Sequence, residues 1–484
     1  MITEYLLDKV SGMQLFRLFL TNRFLRKQAM SVIAKRTYAE LVERNPDNRP
    51  RRVQEEKYHY MMGLLHGLER AIERGWISQH VLERVVEVFL KRTFLEREFL
   101  SREAAQKIGF QPPLFVTISP TAVCNLKCAG CYAESSPEKQ ASLEFDLVDR
   151  ILTEKENLWA SYFTVISGGE PFMWRDGNRG LLDLVEKHNT NFFMVYTNGT
   201  LTNDDCARRM AELGNITLAI SVEGFEAETD ARRGKGVFKK IMTAMETLRR
   251  HGVPFGISAT PTKENWRVIS SDRFVDFYFE EQGAIYGWLF QFMPIGRGPV
   301  LDLMVPPVER VQMLEKLRKV VRERKIFLAD FWNSGPTSSG CISAGRPGGY
   351  FYIDWNGDVM PCVFVPYAVA NIREVYARGG NLNDVLQAPL MVRIREWQNE
   401  YGYAQPAEQV HNWLCPCVVR DHFDVLHKAV LETGARPTTE GAAAAIHDPE
   451  FYRGMINYDR ALEELTAPIW SRDYAEQKMS KAAN

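Results

Sequence analysis

The stretch LFVTISPTAVCNLKCAGCY, residues 114–132, decides the fold. It opens on an apolar, β-branched run and closes on Cys124, Cys128 and Cys131 at C-x3-C-x2-C spacing, with Tyr132 directly after. Three thiolates this close together, on a loop leaving an apolar strand, wrap one metal cluster more readily than they pair as disulfides. A 4Fe-4S cube has four irons, so a three-cysteine loop leaves one iron without a protein ligand and open to a small molecule. Chance rarely places three ordinary buried cysteines in so short a span.

Outward from this loop the chain alternates. Apolar or aromatic runs recur at LFVTIS (114–119), YFTVIS (162–167), FFMVYT (192–197), ITLAIS (216–221), PFGISAT (254–260) and YGWLFQF (286–292). Helical stretches such as LEFDLVDRILTEKENL and VFKKIMTAMETLRR lie between most of them. Six β/α units in succession predict an α/β fold with a parallel sheet and outer helices. Functional residues in such folds gather at the C-terminal strand ends. The first strand leads to the cysteine loop. The second ends in SGGEP, where Gly168 and Gly169 let backbone approach a ligand and Glu170 can accept from an ammonium. The third ends in TNGT, where Asn198 and Gly199 equally fit a structural turn. The fourth ends in SVEG, which puts Ser221 and Glu223 on one side of the strand. After the sixth comes MPIGRG, whose Arg297 either binds a carboxylate or anchors the loop.

The cysteine loop, GGEP and SVEG at successive strand ends resemble the radical S-adenosylmethionine (SAM) superfamily. The resemblance implies a partial (β/α)6 barrel at residues 111–300, with the open iron chelating the methionine part of SAM. It implies reductive cleavage of SAM to a 5'-deoxyadenosyl radical, hydrogen abstraction from an unactivated substrate carbon, and a reducing partner such as flavodoxin or ferredoxin. It assigns Gly168, Gly169 and Glu170 to the SAM amino group, and Ser221 and Glu223 to its ribose or carboxylate. Glu223 departs from the aspartate usual there. Tyr132 and, on the fifth strand, Ser258 complete the cofactor-binding set that the resemblance implies.

Eight cysteines divide into the loop of three, a late group of Cys341, Cys362, Cys415 and Cys417, and Cys206 alone, which reads as a packing residue in a helix. GYFYIDWNGDVMPC is a β-hairpin by composition, turning at Trp355 to Asp358 and able to bring separated cysteines to one side of a sheet. Four such ligands suit a structural zinc ion as well as a cluster. The spacing C-x15-G-x4-C from Cys341 to Cys362 resembles the SPASM and twitch auxiliary-cluster domains, while Cys415-Pro416-Cys417 matches them less well. With four cysteines the resemblance implies one auxiliary 4Fe-4S cluster in a small C-terminal iron-sulfur domain, residues 341–425.

Residues 1–110 read as a helical region, with Ser78 capping a helix that buries Val81, Leu82, Val85, Val86 and Phe89. The first 36 residues carry seven Lys or Arg against two acidic residues. Such a mixture can rest weakly on an anionic membrane surface, but its basic side chains point to several sides of a helix, which suits packing on its own protein or a dimer partner better. Residues 301–340 are expected to bridge domains through a helix running to Leu328, with Val308, Val311, Leu314, Leu317 and Val321 inward. Residues 426–484 read as linker and surface helices ending in SKAAN.

Net charge of -1 and the absence of a basic stripe interleaved with aromatics argue against a nucleic-acid target. With no spanning run and no secretory signal, the expectation is a reducing cytoplasm, with the inner membrane face as a peripheral site. A ribosomal peptide and a lipid or isoprenoid are nearly even as substrate classes, ahead of a small metabolite such as a sugar or tetrapyrrole. The competing function is a non-enzymatic iron-sulfur or zinc scaffold for electron transfer, which would have no use for ligand-holding loops around an open iron.

Overall fold

The computed structural model describes residues 11–298 and 300–475. The first ten residues of the basic N-terminal stretch and the SKAAN end lie outside the described residues.

The six expected strands are present as β1 (Phe115–Ile118), β2 (Phe163–Ile166), β3 (Phe192–Thr197), β4 (Ile216–Val222), β5 (Phe255–Ala259) and β6 (Tyr286–Leu289). They pair in parallel and in chain order. Both faces are apolar, as a covered parallel sheet requires. On β3, Phe193 and Val195 join the core under the outer helices, whereas Phe192, Met194 and Tyr196 turn to the opposite, concave side.

The sheet extends beyond the six units at both edges. On one side β7 (Phe327–Asp330) pairs in parallel with β6. This corrects the expectation of one helix running to Leu328: the helix α5 spans Pro307–Glu323, and Lys325 at φ 52 turns the chain. Phe327 to Asp330 then pair with the open edge of β6, so tertiary pairing overrides local propensity. Within α5, Leu314, Leu317 and Val321 are buried as expected, but Val308 is exposed and Arg310 is buried.

On the other side β8 (Tyr350–Ile353) lies parallel to β1, with Phe115 opposite Tyr350, and β9 (Asp358–Met360) returns antiparallel through the expected turn. Ala370–Asn371, β10, completes a ten-stranded sheet. The small C-terminal domain is thus built onto the sheet of the barrel.

The N-terminal helices α1 (Gly12–Thr21), α2 (Arg26–Tyr38), α3 (Arg51–Glu73) and α4 (Gln79–Arg84) cover the concave side. Ser78 caps α4 by accepting from Val81 N at 3.3 Å. Leu15, Phe19 and Leu20 are buried in a cluster that includes Phe192, Ala219, Ile285 and Tyr286. Burying each such side chain stabilises by about 1.5–3 kcal/mol. These apolar residues of the basic stretch therefore pack on the protein itself. On α3, a Cβ at Gly67 would stand 2.6 Å from Ile285 O, so only glycine lets this helix lie on the chain entering β6.

The tail, expected to contain linker, holds the 22-residue helix α6 (Pro449–Trp470), which buries Met455, Leu462, Thr466 and Trp470 and packs against α5. Its apolar positions recur at helical spacing, and the preceding alanines are strong helix formers despite their low complexity. Among the described residues no helix is long and apolar enough to cross a membrane.

Candidate functional site

The strand ends converge on one cavity of about 780 Å³. Its wall contains Cys124, Cys128, Cys131, Tyr132, Gly168, Gly169, Ser221 and Ser258, together with Cys341, Cys362 and Cys417. Two cysteine groups more than 200 residues apart in sequence thus face one space. Glu170, Glu223 and Cys415 are buried but do not form part of the wall.

The cysteine loop is held by backbone from below. Gly169 N donates to Thr121 O and Glu170 N to Val123 O, both at 2.8 Å. A Cβ at Gly169 would lie 2.2 Å from Val123 O, and Gly168 sits at φ 111. The Tyr132 hydroxyl lies 2.5 Å from Ser167 Oγ and accepts from Gly168 N at 3.3 Å, joining the cysteine loop to the glycine loop. Arg297 donates to Cys128 O and Ser135 O, each at 2.6 Å, so of its two expected roles it serves as the loop anchor.

Glu170 accepts from Thr197 Oγ1 at 2.7 Å, Asn198 N at 2.9 Å and Phe172 N at 3.2 Å. Burial pushes its carboxyl above the ordinary range. Glu223 Oε1 accepts from Arg232 and Arg233 at 2.5 Å each, and Oε2 accepts from Thr260 N at 3.1 Å. Arg232 in turn donates to Ala129 O at 3.1 Å, which carries the end of β4 onto the cysteine loop. Ser221 Oγ and Ser258 Oγ stand 3.4 Å apart in the wall.

By sequence Asn198 fits a structural turn. It lies in the wall and directs Nδ2 toward Cys124 Sγ at 3.8 Å, where Leu126 N also donates at 3.4 Å. Arg232 and Arg233 carried no sequence motif; charge beside a strand-end carboxylate was the only signal available.

In the late group, Cys362 Sγ lies 3.0 Å from the Tyr350 hydroxyl and Cys341 Sγ 3.1 Å from Ser343 Oγ. Cys417 N donates to Asp421 Oδ2 at 3.1 Å. Cys415 instead lies 3.1 Å from Thr466 Oγ1 on α6. The expected set of four ligands is therefore three cysteines on the cavity and one turned toward a helix. Aromatic rings line the same space: Phe364 packs against Tyr132 and Trp332, with ring centroids 6.1 Å and 5.3 Å away.

Burial pushes the Cys124 and Cys362 thiols up to about 12, so ionisation in place needs a cation to replace the proton. Among the described residues no three His, Cys, Asp or Glu side chains converge on one metal-ion position. A cluster, which spreads its thiolates over separate irons, fits a loop of three cysteines with backbone and amide donors aimed at sulfur.

An open parallel barrel with a three-thiol loop at the mouth of its first strand defines the class, and comparison with known proteins agrees. Residues 118–270 match the model of the radical SAM superfamily, and residues 341–408 match SPASM, an iron-sulfur cluster-binding domain. The chain belongs to the radical SAM superfamily as an enzyme with a C-terminal SPASM domain. The first domain implies a 4Fe-4S cluster and SAM, and the second implies auxiliary iron-sulfur clusters.

An AdoMet-dependent heme synthase of Methanosarcina barkeri is 26% identical over 295 residues, 54% of this chain and 80% of that protein. The mycofactocin maturase MftC of Mycolicibacterium smegmatis is 28% identical over 304 residues, 60% of this chain and 74% of that protein. The structure of Streptococcus suis SuiB bound to S-adenosylmethionine is alike in fold, with a TM-score of 0.50 at 19% identity, over 62% of this chain and 72% of that one.

Proposed function

We propose that this enzyme abstracts a hydrogen atom from an unactivated carbon of a lipid or isoprenoid chain held in the barrel lumen. The observation that carries it is the character of the cavity beyond the thiols. Its wall runs from the cysteine loop past Phe163, Met194, Tyr196, Trp288 and Phe327 to Met61, Leu64 and Leu68 of α3. A peptide backbone there would leave amides without partners, at about 1–3 kcal/mol each by protein mutational data, whereas an apolar chain has none to satisfy.

When bound, the Cys124, Cys128 and Cys131 cluster and SAM supply a 5'-deoxyadenosyl radical. The protein's part is placement. Gly168 and Gly169 offer close backbone approach for the amino-acid end of SAM, and Glu170 fixes that backbone through Thr197, Asn198 and Phe172. Ser221 and Ser258 supply hydroxyls to the polar part of SAM, while Glu223 holds Arg232 and Arg233 in the wall. The aromatic wall around Phe364 excludes water from the reacting carbon. Cys341, Cys362 and Cys417 are proposed to hold one auxiliary cluster, with flavodoxin or ferredoxin as reductant.

A ribosomal peptide is the second reading, supported by the likeness to mycofactocin maturase. One experiment separates the two. After anaerobic reconstitution, 5'-deoxyadenosine is followed with dithionite and SAM, alone, with a total lipid extract and with a pool of small peptides. Acceleration by lipid, lost in the Cys124, Cys128 and Cys131 triple Ala variant, supports the first reading. Acceleration by peptide alone selects the second, and iron without SAM cleavage under any condition overturns both.

A further inference from the structure

The cavity wall changes character where α3 meets the short turn Gly335–Ser338. Here Lys57, Tyr60, Ser334 and Thr337 bring an ammonium and hydroxyls to a wall otherwise lined by aromatic and aliphatic groups. Lys57 Nζ has one long hydrogen bond, 3.4 Å to Ser339 Oγ, and one loose ion contact, 3.8 Å to Asp47 Oδ2, whose side chain is 58% exposed. An ammonium carries three donors, so its capacity is largely unused. The other cations of the wall, Arg232 and Arg233, are held at 2.5 Å by Glu223.

Two guanidiniums reinforce the positive charge. Arg49 spends its hydrogen bonds on the carbonyls of Gly402, Tyr403 and Gln405, and Arg346 on those of Ser338, Cys341 and Pro347. Carbonyls take up these donors without cancelling the charge, and Arg49 Nε is buried without a partner among the described residues. Burial, with Arg49 and Arg346 adding to it against Asp47, lowers the Lys57 ammonium to about 8. Tyr60 follows Lys57 by one helical turn on α3 and lines the same wall, where its hydroxyl and Ser334 Oγ lie 2.7 Å apart. One of these hydroxyls donates to the other, and the second hydrogen is left for a ligand. The carboxyl of Asp330, in the same wall, is taken up by Gln291 Nε2 at 2.7 Å and by the Trp332 and Asn333 amides at 3.0 and 3.1 Å. The half-dry Lys57 ammonium on an apolar lumen is therefore costly unless an anion meets it.

We infer that Lys57, with Tyr60 and Ser334, binds the anionic head of an amphipathic substrate whose apolar body fills the lumen. This rests on the apolar-chain reading above and narrows it to acidic lipids, with a carboxylate or a phosphate as head.

The test uses the full chain and fluorescence of cis-parinaric acid and its methyl ester, with oleate and oleoyl lysophosphatidate as competitors. Lys57→Met is expected to weaken the acid about tenfold or more and the ester less than about twofold, while Lys57→Arg keeps acid binding, because a charge-assisted hydrogen bond is lost only in the first. Unchanged ester binding also shows that the variant is folded. Stronger displacement by oleate assigns a carboxylate head, and stronger displacement by lysophosphatidate a phosphate. Equal loss of acid and ester, or acid binding indifferent to Lys57, overturns the head site while the lumen reading stands. Failure of the wild-type chain to bind either probe overturns both.

Discussion

Cys415 Sγ lies 3.1 Å from the hydroxyl of Thr466 on α6, whereas Cys417, two residues on, stands in the cavity wall with Cys341 and Cys362. In a strand, positions two apart would share a side, but Cys415 N donates to Asn412 O at 3.0 Å in a turn, so the chain bends at Cys415 and the pair divides between packing and the cavity. Cys417→Ala is expected to lose the auxiliary iron, and Cys415→Ala to keep it at a cost of about 1 kcal/mol from the lost buried contact. Iron and sulfide content of the two reconstituted variants decides. Equal loss in both would make Cys415 a ligand.

The glycine loop offers a sharper probe of the SAM site. An alanine at position 169 would press its Cβ to 2.2 Å from Val123 O and 2.8 Å from Ala122 C, backbone that leads directly into Cys124. The loop must shift, and misplacement on the order of 1 Å costs roughly 100-fold in rate. Gly169→Ala should therefore retain a native circular dichroism spectrum but form 5'-deoxyadenosine roughly 100-fold more slowly. Gly441→Ala, in a helix where the nearest atom is 3.9 Å away, is the matched control and should be neutral or stabilising. Wild-type rates in Gly169→Ala would remove the glycine loop from the site.

Arg310 and Asp421 are both fully buried and meet at 2.6 Å, tying α5 to the segment after Cys417. Arg310→Met leaves the buried Asp421 carboxylate with only the looser contact to Arg420, 3.6 Å away, at a cost of up to about 3–5 kcal/mol. Adding Asp421→Leu together with Arg420→Leu removes the orphaned carboxylate and the buried guanidinium that it meets at 3.6 Å, and should recover much of that stability. It also removes the acceptor that Cys417 N uses at 3.1 Å, so auxiliary iron should not return with stability. Thermal unfolding and iron content, measured on both variants, are expected to separate. Recovery of the two together would show that the ion pair serves the fold alone.

Much of the site was legible because it is local: the cysteine loop, the glycine loop and the Ser221 strand end each lie within a few residues, and strand periodicity places them at one mouth. What sequence could not show depends on long-range partners. The β8 hairpin was recognisable, but its parallel pairing with β1 was not, since edge pairing leaves no mark in either strand. Arg310 sits where a helical pattern predicts an apolar face, and only the presence of Asp421, 111 residues on, makes that position intelligible. Glu170 and Glu223 read as ligand-facing carboxylates, yet each is surrounded by protein donors. A strand-end carboxylate looks the same in sequence whether it meets a ligand or holds its neighbours.

The hairpin that carries Cys362 also carries a titrating group. Asp354 Oδ1 accepts from Asn356 N at 2.8 Å and Asp358 N at 3.0 Å, fixing the turn between β8 and β9. Burial, with the Asp358 carboxylate beside it, pushes the Asp354 carboxyl up to about 7. In the unfolded chain an aspartate titrates near pH 3.9, so between about pH 4 and 7 the folded protein binds a proton that the unfolded chain has released. Stability from this group is therefore fully present below about pH 4 and is lost as pH rises toward 7, by on the order of 2–4 kcal/mol. Asp354→Asn keeps an acceptor for both turn amides and removes the titration. The difference in urea midpoint between about pH 5 and pH 8 should accordingly shrink in the variant. An identical difference in both proteins would place the titrating group elsewhere, because the turn amides are satisfied in either case and only the proton distinguishes them.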